Sequence, residues 1–214
     1  MKTSILAGEK NKEVLYKENN CVFRFNIDTT YFSPRLSNER KEIASLIKKT
    51  DKVLVMFAGV GPYSICIAKN SGAKVYSNEI NREANKYAEL NIKLNKVQNK
   101  VELIPGDIKR VSQNLQKQKL NKKNEPKILF FFDVIVMPRP KLKESFLKEA
   151  FALSKKNTRI FYYDFCKVEE KNKIIEKINA EAKKAKKKIK ILRIKHAGEI
   201  APYKIRIRVD FKII

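Results

Sequence analysis

The feature that most restricts how this chain can fold is a five-residue turn, Phe57-Ala58-Gly59-Val60-Gly61, set between a β-rich run and a proline. Lys52 to Met56 reads as a strand, and Pro62 stands where proline is tolerated, in the first turn of a helix. Gly59 and Gly61 remove the side chains that would keep a ligand away from backbone N–H groups. The spacing is not that of a three-glycine dinucleotide fingerprint, and no Walker-type lysine follows. A strand, glycine turn and helix in succession belong to an open sheet with helices on both faces.

The rest of the chain continues that alternation. Residues 13–27 read as a hairpin turning at Asn19-Asn20, and Tyr31 to Pro34 as an extended junction. A helix capped by Ser37 or Asn38 is expected to run to Thr50-Asp51, with Ile43, Leu46 and Ile47 inward. Strands follow at 73–77, 100–104, 127–136 and 158–163. Helices are expected at 82–95, with Ala84, Tyr87, Ala88, Ile92 and Leu94 buried, and at 142–153 and 169–188. Residues 112–126 read as a polar loop. The chain ends in two strands, 190–195 and 203–213, the last alternating apolar residues with Lys204, Arg206, Arg208, Asp210 and Lys212. Strands joined by so short a loop must be antiparallel. The expectation is a doubly wound, mostly parallel, seven-stranded Rossmann-like sheet closed by a C-terminal antiparallel strand, with a short N-terminal β-hairpin. That arrangement resembles the S-adenosylmethionine methyltransferase fold.

Glu79 ends the second strand, twenty residues after Gly59, where an acid can accept both hydroxyls of a ribose; Asn81 follows it. Asp107 ends the third strand and suits an adenine amino group, or serves simply as a turn former. The net charge of +25 points to a polyanionic partner, nucleic acid foremost. A lysine-rich surface of heat-adapted or compositionally biased origin is the other reading. Residues 171–195 carry eleven Lys or Arg against Glu176 and Glu181, and residues 109–127 carry seven against Glu125. Cys21, Cys66 and Cys166 are scattered and His196 is the lone histidine, so neither a disulfide framework nor a metal site is expected. No apolar run has the length of a membrane span, and residues 1–7 lack the apolar core of a signal peptide. A cytoplasmic monomer is expected.

Three segments carry a more specific likeness: Tyr31-Phe32-Ser33-Pro34-Arg35-Leu36-Ser37-Asn38-Glu39-Arg40, Met56 to Ser64, and Glu89 to Val97. They closely resemble the archaeal and eukaryotic tRNA (guanine-N1) methyltransferases, which modify the purine at position 37, and the related wyosine-pathway enzymes. The likeness covers residues 12–214. It implies S-adenosylmethionine as cofactor, held by Tyr31, Phe57, Ala58, Gly59, Gly61, Glu79, Asn81 and Asp107, and tRNA as partner. It gives Glu39 the part of general base, apt because guanine N1 must lose a proton as the methyl arrives. Arg35 takes the part of the group that steadies developing negative charge. Arg40, Pro138, Arg139 and Pro140 are expected to meet the substrate. Residues 1–30 are read as a hairpin remnant of a tRNA-binding region, and 31–214 as the methyltransferase domain.

Two departures stand out. Val55 occupies a place where the family carries an acid, and Met137-Pro138-Arg139-Pro140 replaces an Asn-Pro-Pro or Asn-Leu-Pro motif. Arginine has donors but no acceptor, so it cannot do the asparagine's work; it could grip a phosphate or stack on a base. Aminocarboxypropyl transfer on the same frame and a non-catalytic RNA-binding module are therefore the alternatives. Only about thirty residues precede Tyr31, so either the sequence is a trimmed piece of a longer chain, or a partner or the basic surface would supply the rest of the RNA binding.

Overall fold

The computed structural model describes residues 3–4, 6–117 and 130–214. The chain opens with β1 (Glu13–Glu18) and β2 (Cys21–Asn26), paired in antiparallel register with Val14 opposite Phe25. Asn19 and Asn20 turn the hairpin with φ of 48° and 61°, a left-handed pair that asparagine tolerates. After a short 3-10 turn at Pro34–Leu36 comes α1 (Ser37–Ser45). Then β3 (Lys52–Val55), α2 (Pro62–Ser71), β4 (Lys74–Glu79), α3 (Arg82–Leu94), β5 (Val101–Pro105) and α4 (Ile108–Lys117) alternate. The chain closes with β6 (Phe132–Met137), α5 (Leu147–Ala152), β7 (Ser154–Lys167), α6 (Lys171–Lys184), β8 (Ile189–Ala201) and β9 (Lys204–Ile213).

The seven-stranded sheet has the order β5-β4-β3-β6-β7-β9-β8. The pairs β4–β5, β3–β6 and β6–β7 are parallel, while β9 runs antiparallel to both β7 and β8. The expected architecture is borne out. The order reverses direction beside β3, and ligands in such sheets bind outside the carboxyl ends of the strands at that switch point. The chain forms two compact units, Met1–Asp51 with Phe57–Gly106, and Lys52–Met56 with Asp107–Ile214. No described helix is long and apolar enough to cross a membrane.

Several expected boundaries shift for identifiable reasons. The first helix stops at Ser45 rather than Thr50, because Asp51 and Lys48 bond to each other in a local turn. Residues 112–117 are helix, not loop: α4 buries Ile108, Val111 and Leu115 at helical spacing. Residues 118–126 of that expected loop lie outside the described residues, as does the start of the strand expected at 127. The helix expected from Leu142 begins only at Leu147, since the carbonyls of Leu142 and Glu144 are taken by Arg139 and Phe146 turns left-handed at φ 57°. Arg208 and Asp210 do not face solvent; they are buried and paired on one face of β9.

The hairpin is built into the first compact unit. At the end of α3, Leu94 is exposed, and Asn91 and the C-cap residue Asn95 are buried in its stead. Asn95 accepts from the Val22 N–H at 2.9 Å and donates to the Val22 carbonyl at 2.6 Å. Asn91 does the same for Arg24, at 2.7 and 3.0 Å. Four helical residues advance about 6 Å and two strand residues about 6.6 Å, so the two amides match alternate residues of β2. They close the strand edge that β1 leaves open.

Candidate active site

The glycine turn alternates in hand, with φ of 58° at Phe57, 58° at Gly59 and 87° at Gly61. Only glycine takes this region without penalty, so Phe57 holds strain of order 1 kcal/mol at the mouth of the turn. The neighbours of the turn hold it in place. Ala58 N–H donates to Asn78 O at 2.8 Å, Gly61 N–H to Ala58 O at 3.0 Å, and the Asn91 amide to Val60 O at 3.0 Å. Gly61 then starts α2 with Pro62 in its first turn.

Glu79 is the acid of this turn. Its two oxygens accept from the N–H groups of Gly59 and Asn81, each at 2.8 Å. A carboxylate has about four acceptor directions, so two are left for another donor pair. Asn81 caps α3 through Oδ1, which accepts from Glu83 N–H at 2.9 Å, and its amide donates to Thr29 O at 3.0 Å. A β-carbon on Gly59 would stand 3.5 Å from Tyr31 O. The turn, Glu79, Asn81 and the Thr29–Tyr31 segment therefore come together. Gly106 N–H reaches Glu79 O at 2.9 Å, and the next residue, Asp107, caps α4 by accepting from Lys109 N–H at 2.9 Å. The turn-former reading of Asp107 is thus realised, with its second oxygen still available.

The Tyr31–Arg40 block is anchored by its second residue. Phe32 stacks on Phe25 with centroids 4.7 Å apart and also meets Tyr16 and Phe23 of the hairpin. Tyr31 is consequently turned outward, and Arg35 is exposed on the 3-10 turn. Glu39 lies in the first turn of α1, buried. Arg40 is not where a substrate contact must be. It is buried and forked onto Glu18, donating at 2.6 Å from Nη2 besides its Nε contact, and it packs over Phe32 and Tyr63. A buried cation needs a hydrogen-bonded partner, and Glu18 on the hairpin supplies it.

The second unit carries the end of β6. Met56 N–H donates to Val136 O at 2.9 Å, so β6 ends beside the strand that leads into the glycine turn. Pro138 is half-buried and Pro140 exposed. Arg139 is fully buried: Nη1 is paired with Asp164, and Nη2 donates to the carbonyls of Leu142 and Glu144. It is therefore not free to grip a phosphate or stack on a base. Asp164 also accepts from Tyr162 Oη at 2.8 Å and Lys177 Nζ at 2.9 Å. Burial pushes the Asp164 carboxyl up, and Arg139, Lys177 and Tyr162 more than reverse this, holding it below the ordinary carboxylate range. Val55, in place of the family's acid, is buried in β3 opposite Val136. Among the described residues no group of three His, Cys, Asp or Glu is placed to hold a metal ion.

A parallel sheet with its switch point at a glycine turn, an acid after the second strand and a terminal antiparallel strand define a Rossmann-like methyltransferase domain. Residues 14–192 match the TRM5/TYW2 methyltransferase domain, and the chain belongs to that family. The tRNA (guanine(37)-N(1))/4-demethylwyosine(37)-methyltransferase Taw22 of Nanoarchaeum equitans is 35% identical over 253 residues, covering 100% of this chain and 83% of its own length. Among solved structures, Trm5b of Pyrococcus abyssi superposes with a TM-score of 0.82 at 32% identity, covering 97% of this chain and 58% of that one. M. jannaschii TYW2, solved in complex with AdoMet, gives 0.80 at 27%, covering 99% and 90%. The chain thus spans little more than half the length of Trm5b.

Proposed function

We propose that this chain is an S-adenosylmethionine-dependent tRNA methyltransferase acting on the purine at position 37, guanosine or a wyosine precursor. The observation that carries the reading is the packing of the Tyr31 segment against Gly59 beside Glu79 and Asn81, the segment most particular to this family. The residues present fit the cofactor. The alternating turn at Phe57, Gly59 and Gly61 keeps the backbone open, Glu79 has acceptor capacity left for a ribose diol, and Asp107 keeps one oxygen for the adenine amino group. Tyr31, exposed, offers a ring face to a sulfonium. When bound, the cofactor supplies an electrophilic methyl group.

The protein's own part is to position the purine and move one proton. Glu39 takes the proton that leaves guanine N1, and its burial keeps water from competing for it. Arg35 offers donors to the oxygen on which negative charge develops. The +25 charge draws the polyanionic substrate. Incubation with methyl-labelled cofactor and tRNA from the native host is expected to place label in a modified purine at position 37. No label in any tRNA would sink the proposal. One observation favours a second reading, aminocarboxypropyl transfer: the motif place of the base-contacting asparagine holds a buried arginine. Carboxyl-labelled cofactor would then mark the tRNA, and methyl-labelled cofactor would not.

A further inference from the structure

We infer that the buried Arg139–Asp164 pair positions the loop of residues 138–146 for the transfer reaction. The inference rests on the proposed methyl-transfer reading. Arg139 is then a positioning residue and not a substrate contact.

The loop leaves β6 at Met137, next to the strand that runs into the glycine turn. It turns sharply at once, with Arg139 N–H donating to Met137 O at 2.7 Å. The guanidinium then points back inside the fold. One nitrogen is held by Asp164 on β7, and another gathers the carbonyls of Leu142 and Glu144. Two carbonyls two residues apart, drawn to one nitrogen, fix the course of the chain between them. The intervening Lys143 and the following Ser145 line a cavity of 520 Å³ together with Lys109 and Lys148. Glu144 reaches Lys109 of α4 at 2.5 Å, so the outer side of the loop is tied as well.

Stability alone gives no reason for an arginine here. A buried ion pair seldom outperforms well-packed apolar side chains. The Arg139 Nε–H has no hydrogen-bond partner among the described residues, a further cost. What the arginine supplies is directional: a rigid planar fork whose donors reach a carboxylate and two carbonyls at once. A single methionine or lysine cannot reproduce that geometry. The loop needs such a fixed shape if it borders the reacting groups, because a misplacement of about 1 Å is worth on the order of a hundredfold in rate.

The test uses the full chain with Arg139→Lys and with the double variant Arg139→Met/Asp164→Asn, which removes both charges so that no buried ion is stranded. Thermal unfolding confirms that each is folded. The expected result for the double variant has three parts. Amide hydrogen exchange quickens across residues 138–146 and not in α3. The cofactor Kd, read by calorimetry, stays within about twofold, and kcat for tRNA methylation falls about 100-fold. Arg139→Lys keeps the charge but not the fork and is expected to fall between. Unchanged exchange in the loop, or an unchanged kcat in a folded double variant, overturns the inference. So does a loss confined to the cofactor Kd. If the unaltered chain transfers no methyl group, the functional proposal has failed instead; the exchange result still decides whether the pair holds the loop.

Discussion

Glu79 is the residue on which most of the candidate cofactor site converges. It joins the glycine turn to the start of α3 by accepting from Gly59 and Asn81. Hydrogen bonds to a charged group contribute about 1.5–3 kcal/mol each. Replacing Glu79 with Ala is expected to weaken S-adenosylmethionine binding about 10–100-fold by calorimetry, since each 1.4 kcal/mol is a factor of ten. An unchanged Kd would remove Glu79 from the site. Asp164 gives a pH signature in the same way. Its carboxyl lies below its ordinary value of 3.8. The contribution of a depressed carboxyl is full above the unfolded value and is lost as pH falls towards the folded one. Unfolding temperatures of the unaltered chain and of Asp164→Asn should therefore differ most at neutral pH and converge below about pH 4. A gap that stays constant with pH would contradict that assignment. Glu79 could be found in the sequence because its place is set by local spacing from a strand and a glycine turn. The burial of Arg40 and Arg139 could not: their carboxylate partners, Glu18 and Asp164, lie 22 and 25 residues away. Local pattern does not distinguish an arginine taken inside by a distant acid from one left in water.

Among the elements, α3 does two jobs with one row of side chains. Asn91 and Asn95, one helical turn apart, close the free edge of β2, and Asn91 also holds Val60 O in the glycine turn. Either substitution to Ala leaves buried backbone groups of the hairpin unpaired, at about 2–3 kcal/mol each. Only Asn91→Ala also frees the turn. Denaturant unfolding should show both variants destabilised, whereas the cofactor Kd should rise for Asn91→Ala alone. Equal effects on Kd would mean that the hairpin, not the amide on Val60, governs the turn. Apart from α4, the order and type of the elements were legible from periodicity, glycine and proline, and so was the antiparallel close of the sheet. Their ends were less so. Helix α5 starts late because a side chain from outside the segment consumes its carbonyls, and α4 was obscured because its apolar row, Ile108, Val111 and Leu115, is diluted by charge. The inward face of α3 was misjudged at Leu94 because two amides matching the period of a strand displaced an apolar side chain from the interior.

At the scale of the molecule the charge has to be met by something. Six lysines fall within residues 183–190, and no acid lies between Glu181 and Glu199. Lys184 is paired with Glu181, and Lys187 donates to Ser154 O at 3.2 Å, which sets this cluster at the start of β7. Since β6 and β7 are parallel, with Phe132 opposite Ser154 and Met137 opposite Tyr162, the cluster lies at the end of β6 away from the Arg139 loop. So dense a run of one charge is self-repelling, so the charges of Lys183, Lys186 and Lys188 do not serve the fold. If the cluster tracks the substrate's phosphates, its effect belongs to affinity and salt dependence, and not to the chemical step. Changing Lys183, Lys186 and Lys188 together to Gln is expected to reduce the slope of log affinity against log salt by about 2–3, because each neutralised phosphate contributes 0.7–0.9. At saturating tRNA, kcat should hold, and the unfolding temperature should not fall. An unchanged slope would assign the lysines to solvent and leave tRNA binding to the rest of the basic surface, whereas a lower kcat at saturation would mean that this end of the sheet also shapes the reacting complex.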